Sequence, residues 1–343
     1  MLKLKAFHLF LLLIVFCCVQ TYAQRGGETI FGLLNVPQSA RVGSLGGNQV
    51  GIYGQDLAIL VNNPAMLDSM LSNQVSVSFT SYIADINYGY AAYSRTFDNI
   101  GNFALGFYHV GYGNFIGADE TGFFTGDFSA GETVIHLVYS RKLSPRWHVG
   151  AAIKPVFSHI EVYNSWGLVF DAGMFYRSEN QLTTAGVVVR NFGRQINPYN
   201  DKIETIRPDV QLGISTKLAH APFRFSFTMQ DIFSGSLLYT VKDDNVNPYF
   251  IDENASKGNF GTDFLRRLTF GVELVPSKNF YVAAGYNPRR RQEMKIDNLP
   301  STIGFTWGFG VKIYKLNFSY GSGRYHLAGP TNHFSISTNL SSF

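Results

Sequence analysis

The chain has 343 residues and a formal net charge of +4, with 45% hydrophobic, 15% aromatic and only 15% charged residues. Soluble domains carry about a quarter charged residues, and a balance this near neutral gives no reason to expect nucleic acid as a partner. A chain poor in charge and rich in aromatics, with no apolar run of about 18 residues beyond its N-terminal segment, has one way to span a membrane: a closed β-barrel.

Residues 1–23 have the layout of a secretory signal peptide. Lys3 and Lys5 are followed by an apolar run from Phe7 to Cys18 broken only by His8, and Thr21-Tyr22-Ala23 sets cleavage after Ala23. Both cysteines, Cys17 and Cys18, fall here, and Phe16 is not the small residue that a lipoprotein signal places before its cysteine. The processed chain is therefore expected to lack disulfides and thiol chemistry.

Residues 24–72 show neither sustained alternation nor a long helix. Residues 39–67 read SARVGSLGGNQVGIYGQDLAILVNNPAML. Irregular backbone can be buried only where something other than lipid satisfies its polar groups, and a wide barrel offers such a place. The segment is expected to be a hatch inside the bore, built around Gly46, Gly47, Asp56, Asn62, Asn63, Pro64 and Ala65. The glycines permit tight turns, Pro64 fixes its own φ, and the asparagine amides can bond freed backbone groups. A flexible periplasmic tail is the alternative, but it accounts poorly for Leu57, Ile59, Leu60, Val61, Met66 and Leu67.

Residues 73–343 read as an all-β domain, a 14-stranded antiparallel transmembrane β-barrel. The strands are predicted at 74–82, 87–97, 101–111, 130–142, 146–158, 166–177, 182–191, 207–218, 223–232, 264–276, 279–287, 301–313, 315–323 and 330–341. Most reach the roughly 9–11 residues that a tilted crossing takes. In 301–313 the period is explicit. Ile303, Phe305, Trp307, Phe309, Val311 and Ile313 share one face, and Thr302, Gly304, Thr306, Gly308, Gly310 and Lys312 the other. A soluble sandwich alternates too, but here the second face is small and polar, as a lumen would be. Short connections also take turns with longer ones, at 112–129, 192–206, 233–263 and 288–300, as in outer-membrane barrels. The last strand alternates through Phe334, Ile336, Thr338 and Leu340 and ends on Phe343, which resembles the signal that outer-membrane assembly machinery recognises.

No histidine pair has metal-ligand spacing, and no nucleophile elbow occurs; no catalytic, cofactor or metal site is expected. Asp171, Glu273, Lys154 and Lys312 are placed on strands facing the lumen. Two loops are candidates for contact with a surface partner. One carries Arg289, Arg290, Arg291 and Lys295, suited to lipopolysaccharide or an acidic protein, with a solvated loop as the bland alternative. The other contains Tyr239, Tyr249 and Phe250, apolar residues that want cover.

Ser39-Ala40-Arg41, Leu45-Gly46-Gly47, Asp56 and Asn63-Pro64-Ala65 together resemble the hatch of the fatty-acid-transporter (FadL)-like barrels, whose members have fourteen strands. Ile30-Phe31-Gly32-Leu33-Leu34, with Pro37-Gln38-Ser39-Ala40-Arg41, is similar to the PorQ and PorV proteins of the type IX secretion system, and Ala84 to Gly89 tips the likeness toward PorQ. That resemblance implies a non-enzymatic outer-membrane scaffold. It would anchor a surface partner of PorZ type beside the sortase PorU and the barrel PorV, in a complex that links exported proteins to lipopolysaccharide. The rival reading is a FadL-like transporter of small hydrophobic molecules, which needs an apolar conduit and a movable hatch. An open porin would gain nothing from so large a plug. The inward positions, mainly Gly, Ser, Thr and charged residues, disfavour a greasy conduit. On this reading Trp307→Arg impairs assembly and Thr306→Arg, facing water, is tolerated.

Overall fold

The structure, a computed structural model, describes residues 29–234, 237, 260–294, 301–326 and 329–342. The predicted signal segment lies outside these residues. One half of the wall consists of β1 (Gln74–Ser81), β2 (Asn87–Phe97), β3 (Gly101–Ala118), β4 (Phe124–Lys142), β5 (Trp147–Ile160), β6 (Tyr163–Arg177) and β7 (Thr183–Asn197). The other half consists of β8 (Asp209–Lys217), β9 (Phe223–Met229), β10 (Leu268–Ser277), β11 (Phe280–Tyr286), β12 (Phe305–Ile313), β13 (Leu316–His326) and β14 (Gly329–Asn339). Every strand pairs antiparallel with its sequence neighbours, and β1 pairs with β14, Gln74 opposite Asn339 and Ser81 opposite Asn332. The result is a closed 14-stranded barrel without an edge, the only sheet whose backbone groups are all paired in hydrocarbon.

Alternation sets the two faces. Trp307 is 55% exposed on the outside and its neighbour Thr306 only 3% exposed within. Phe223, Phe225 and Phe227 on β9 point outward in the same way, with Ser226 and Thr228 inward. At the short-turn end the outer wall carries an aromatic girdle. Phe97 packs on Phe103, Phe103 on Tyr139 and Trp147 on Tyr176, with ring centroids 5.6, 5.1 and 4.8 Å apart. Such rings belong at a membrane interface, where a polar tip can reach water or backbone; the Tyr139 hydroxyl donates to the Ile100 carbonyl.

Several predicted boundaries move. Residues 112–129 are not a loop: β3 continues to Ala118 and β4 begins at Phe124, so the two strands have 18 and 19 residues. At about 3.4 Å per residue each reaches roughly 60 Å, more than a tilted crossing needs, so the hairpin projects beyond the barrel at the long-loop end. A register shift between Gly111 and Asn114 breaks the alternation there, which is why the sequence reads as a loop. In the same way β7 runs on to Asn197, past register shifts against β6. Residues 264–266, expected to open a strand, belong to a helix, Phe260–Arg266. Ile303, assigned to the outer face, precedes β12 and is fully buried.

The N-terminal segment fills the bore. Val42, Leu45, Leu57, Ile59 and Leu60 are all 0% exposed, which removes the flexible-tail alternative for these residues. Thr29 bridges to Thr205 in the β7–β8 connection, at the long-loop end. Residues 69–71 form a last turn at the short-turn end before β1 begins. The chain therefore threads the barrel from the long-loop mouth to the short-turn mouth.

This path corrects the expectation for Thr306, whose Oγ1 donates to the Ser44 carbonyl at 2.8 Å and accepts from the Gly46 amide at 3.0 Å. The inward face meets the hatch there, not water. Trp307→Arg should destabilise the barrel by about 2–4 kcal/mol, read as loss of the heat-modifiable folded band. Thr306→Arg should leave that band and instead raise protease sensitivity within 40–50. Because the long-loop mouth is expected to face outward, Thr29→Cys should label on intact cells with a membrane-impermeant maleimide.

Candidate functional site

The hatch is a succession of short turns, each needing an acceptor for amides that no helix continues to pair. Ser39 accepts from the Val42 amide at the start of Ala40–Ser44. Asp56 does so for Leu57–Val61, Asn63 for Pro64–Met66 with Pro64 in the first position, and Asp68 for Ser69–Leu71. The caps are themselves linked: the Ser39 hydroxyl donates to Asp56 Oδ2 at 2.5 Å and the Ser76 hydroxyl to Asp56 Oδ1 at 3.2 Å. After the first helix the chain turns at Gly46 and Gly47, with φ of 96° and 91°, a region that side chains rarely adopt.

Asn63-Pro64-Ala65 docks on three wall glycines. A Cβ on Gly173 would collide with the Asn63 amide, and one on Gly150 would stand 2.6 Å from the Ala65 nitrogen. One on Gly186 would meet the Val50 carbonyl. In the space these glycines leave, Asn63 Nδ2 donates to the carbonyls of Val50 and Met174 at 3.4 and 3.3 Å. Asn62 donates to Asn48 Oδ1 at 2.9 Å, and Asn48 donates onward to Gln211 and Gln230 of the wall. Asparagine suits both positions because one side chain carries donors and an acceptor.

Charge ties the hatch to the far wall. Arg41 grips Glu273 of β10 with two bonds, Nε at 2.6 Å and Nη2 at 2.8 Å, and Arg224 of β9 joins the same carboxylate at 3.1 Å. Lys154 and Asp171, both fully buried on β5 and β6, form a second pair at 2.7 Å. Asp171, Glu273 and Lys154 thus face inward, as their phase requires, but inside a packed plug; Lys312 is only half-buried near the short-turn end.

Above the hatch, toward the long-loop mouth, lies a chamber of about 550 Å³. Asn35, Gly47, Asn48 and Asn62 line it from the hatch, Arg190 and His333 from the wall. Part of its lining comes from the basic run, which is a short helix, Pro288–Met294. Arg289 pairs with Asp231 at 2.7 Å and Glu293 at 2.8 Å. Burial opposes its charge, and Glu293 with Asp231 more than restores it. Arg290 sits over the Tyr325 ring, its Cζ 3.5 Å from the centroid, and Arg291 bonds Ser301. Arg289 and Arg291 are thus already engaged within the chain. Lys295, Tyr239, Tyr249 and Phe250 lie outside the described residues. A smaller cavity of about 320 Å³ opens at the short-turn mouth beside Asp68, Met70 and Arg177.

The sequence reading did not find Arg190 or the docking glycines. Gly150, Gly173 and Gly186 sit in phase on the inward face of three consecutive strands, the one signal that could have revealed a close approach.

No protein-family model matches the chain, and no curated protein matches it. Among solved structures it is similar to the toluene transporter TodX of Pseudomonas putida, at 12% identity and TM-score 0.53, covering 90% of this chain and 99% of that one. A second TodX structure gives 11% identity and TM-score 0.50, covering 88% and 96%. A FadL homologue from Pseudomonas aeruginosa gives 10% identity and TM-score 0.46, covering 88% and 98%. The closed barrel fold is thus shared with TodX. TodX is described as a toluene transporter.

Removing one partner of a buried ion pair costs about 3–5 kcal/mol. Glu273→Gln should therefore release the hatch around Arg41, seen as new trypsin cleavage after Arg41 in the detergent-solubilised barrel. Glu179→Gln, which breaks an exposed pair with Arg146, should leave the digestion pattern unchanged.

Proposed function

We propose that this chain is a hatch-stoppered outer-membrane channel that admits a small molecule from its outer mouth, a non-enzymatic role. The observation that carries this reading is the chamber of about 550 Å³, floored by the hatch and walled by the barrel. That size falls within the usual range for small-ligand pockets. A protein needing only a rigid anchor in the membrane has no use for such a chamber. The FadL-like fold supports the same reading, since TodX is described as a toluene transporter. The cargo need not be hydrophobic here, because the residues that floor the chamber are polar.

A second reading, a scaffold of the type IX secretion system holding a PorZ-type surface protein, is favoured by a different feature. The projecting β3–β4 hairpin ends in Phe115, Ile116, Phe123 and Phe124, exposed by 41, 80, 74 and 65%. Apolar side chains displayed on a long hairpin outside the barrel suit a protein contact.

The two readings separate by experiment. Purified protein in liposomes should take up small labelled solutes faster than protein-free vesicles, without the steady current of an open porin. No uptake of any solute, together with recovery of a large surface protein on mild solubilisation, would sink the channel reading and favour the scaffold.

A further inference from the structure

The lining of the outer chamber divides into charged groups that are engaged and neutral groups that are free. Three carboxylates stand against four guanidinium groups around it, so the two signs nearly cancel. Arg289 is shared between Asp231 and Glu293. Asp209 accepts from the Asp231 amide and from Gln211. Arg190 Nη2 donates to the Leu34 carbonyl at 2.8 Å, Arg290 sits on the Tyr325 ring, and Arg207 is not free either.

The neutral groups are another matter. Tyr82 in the β1–β2 connection, Tyr88 on β2, Asn62 of the hatch and Gln230 just after β9 all line the chamber. Among the described residues, the two tyrosine hydroxyls, Asn62 Oδ1 and Gln230 Nε2 find no hydrogen-bond partner, and none of these four atoms is sealed from water. The other end of each amide is fixed, since Asn62 Nδ2 donates to Asn48 and Gln230 Oε1 accepts from Asn48. Two hydroxyls that donate and accept, one carbonyl oxygen and one amide donor make a mixed, uncharged set. The two tyrosine rings meet edge to face with centroids 5.9 Å apart, and bring apolar surface beside their hydroxyls.

We propose that the outer chamber binds a small neutral sugar. A sugar hydroxyl both donates and accepts, so it can pair with any of the four free groups, and the C–H face of a sugar ring suits a tyrosine ring. A hydrocarbon such as toluene would cover the same groups without pairing them, and a site built to hydrogen-bond its ligand rejects one that cannot. Aliphatic lining is limited to Val36, Pro37, Val61 and Met294. An ionic solute would have to break the existing pairs around Arg289 to find its counter-charge. The inference names the cargo class of the channel reading and rests on that reading for passage, though not for binding.

Calorimetry on the full chain in lauryldimethylamine oxide, a detergent without a sugar headgroup, tests it with four probes: maltose, N-acetylglucosamine, inorganic phosphate and toluene. At least one of the two sugars should bind saturably, and more tightly than phosphate or toluene. The double variant Tyr82→Phe/Tyr88→Phe keeps both rings and removes only hydroxyls that bond nothing in the chain. It should therefore fold as the parent does and weaken sugar binding about tenfold, the worth of two neutral hydrogen bonds. Tyr139→Phe, which removes a girdle hydroxyl bonded to Ile100 at the opposite mouth, should leave binding unchanged. Absence of binding by both sugars, binding indifferent to the double variant, or tighter binding of toluene or phosphate overturns the proposal. Sugar binding without uptake of that sugar into liposomes keeps the site and overturns the channel; uptake of another solute without sugar binding does the reverse.

Discussion

In hydrocarbon a backbone amide without a partner costs several kcal/mol, and this constraint shapes the whole chain. It requires β1 to close on β14, because an open sheet would leave two edges in lipid. Closure with fourteen strands leaves a bore too wide for wall side chains to fill, and the bore is then packed by the chain's own first residues. The same demand is met again at small scale inside. The hatch consists of turns of three to five residues, each of which leaves amides unpaired, and Ser39, Asp56, Asn63 and Asp68 stand at their starts to accept them. A hatch of apolar residues alone could not have satisfied these amides.

Much of this was legible in the sequence, for a physical reason. Lipid on one side and a polar interior on the other impose opposite chemistries on alternate residues, so the strands announce themselves by period. Strand ends were less legible where the wall leaves the membrane. Beyond Gly111 on β3 and beyond Arg190 on β7 neither face meets lipid uniformly, bulges interrupt the phase, and strand reads as loop. The helix at 260–266 was missed because Phe264 to Arg267 can be phased with the strand that follows. The hatch motif itself was visible, since capping residues, glycines and a proline are local signals. Its partners were not. That Asn63 meets Gly173, or Arg41 meets Glu273, depends on how the plug sits in the wall, and no local pattern encodes that register. Thr306 shows the consequence: its inward direction follows from its phase, but whether water or the hatch lies inside does not.

The attachments of the hatch are uneven, and this bears on how a stoppered barrel can conduct. From Ser39 to Leu67 the segment is held by the Arg41–Glu273 pair, the Asn63 dock and the Asn48–Asn62 chain. Withdrawing that part as a body would separate the buried Arg41–Glu273 pair, at about 3–5 kcal/mol. The leg from Phe31 to Gln38 is tied more lightly, by the Leu33 amide to Glu132, the Leu34 carbonyl to Arg190 and Asn35 to Asn191. None of these three contacts pairs two full charges.

The low identity to TodX, 12% over nearly the whole of both chains, is also informative about where function is written. A barrel of this fold tolerates so different a sequence because alternation and small wall residues suffice to specify it, and many sequences supply those. The chamber is under no such constraint. The shared fold therefore says how the wall is built, and the residues that line the chamber decide what its mouth can hold.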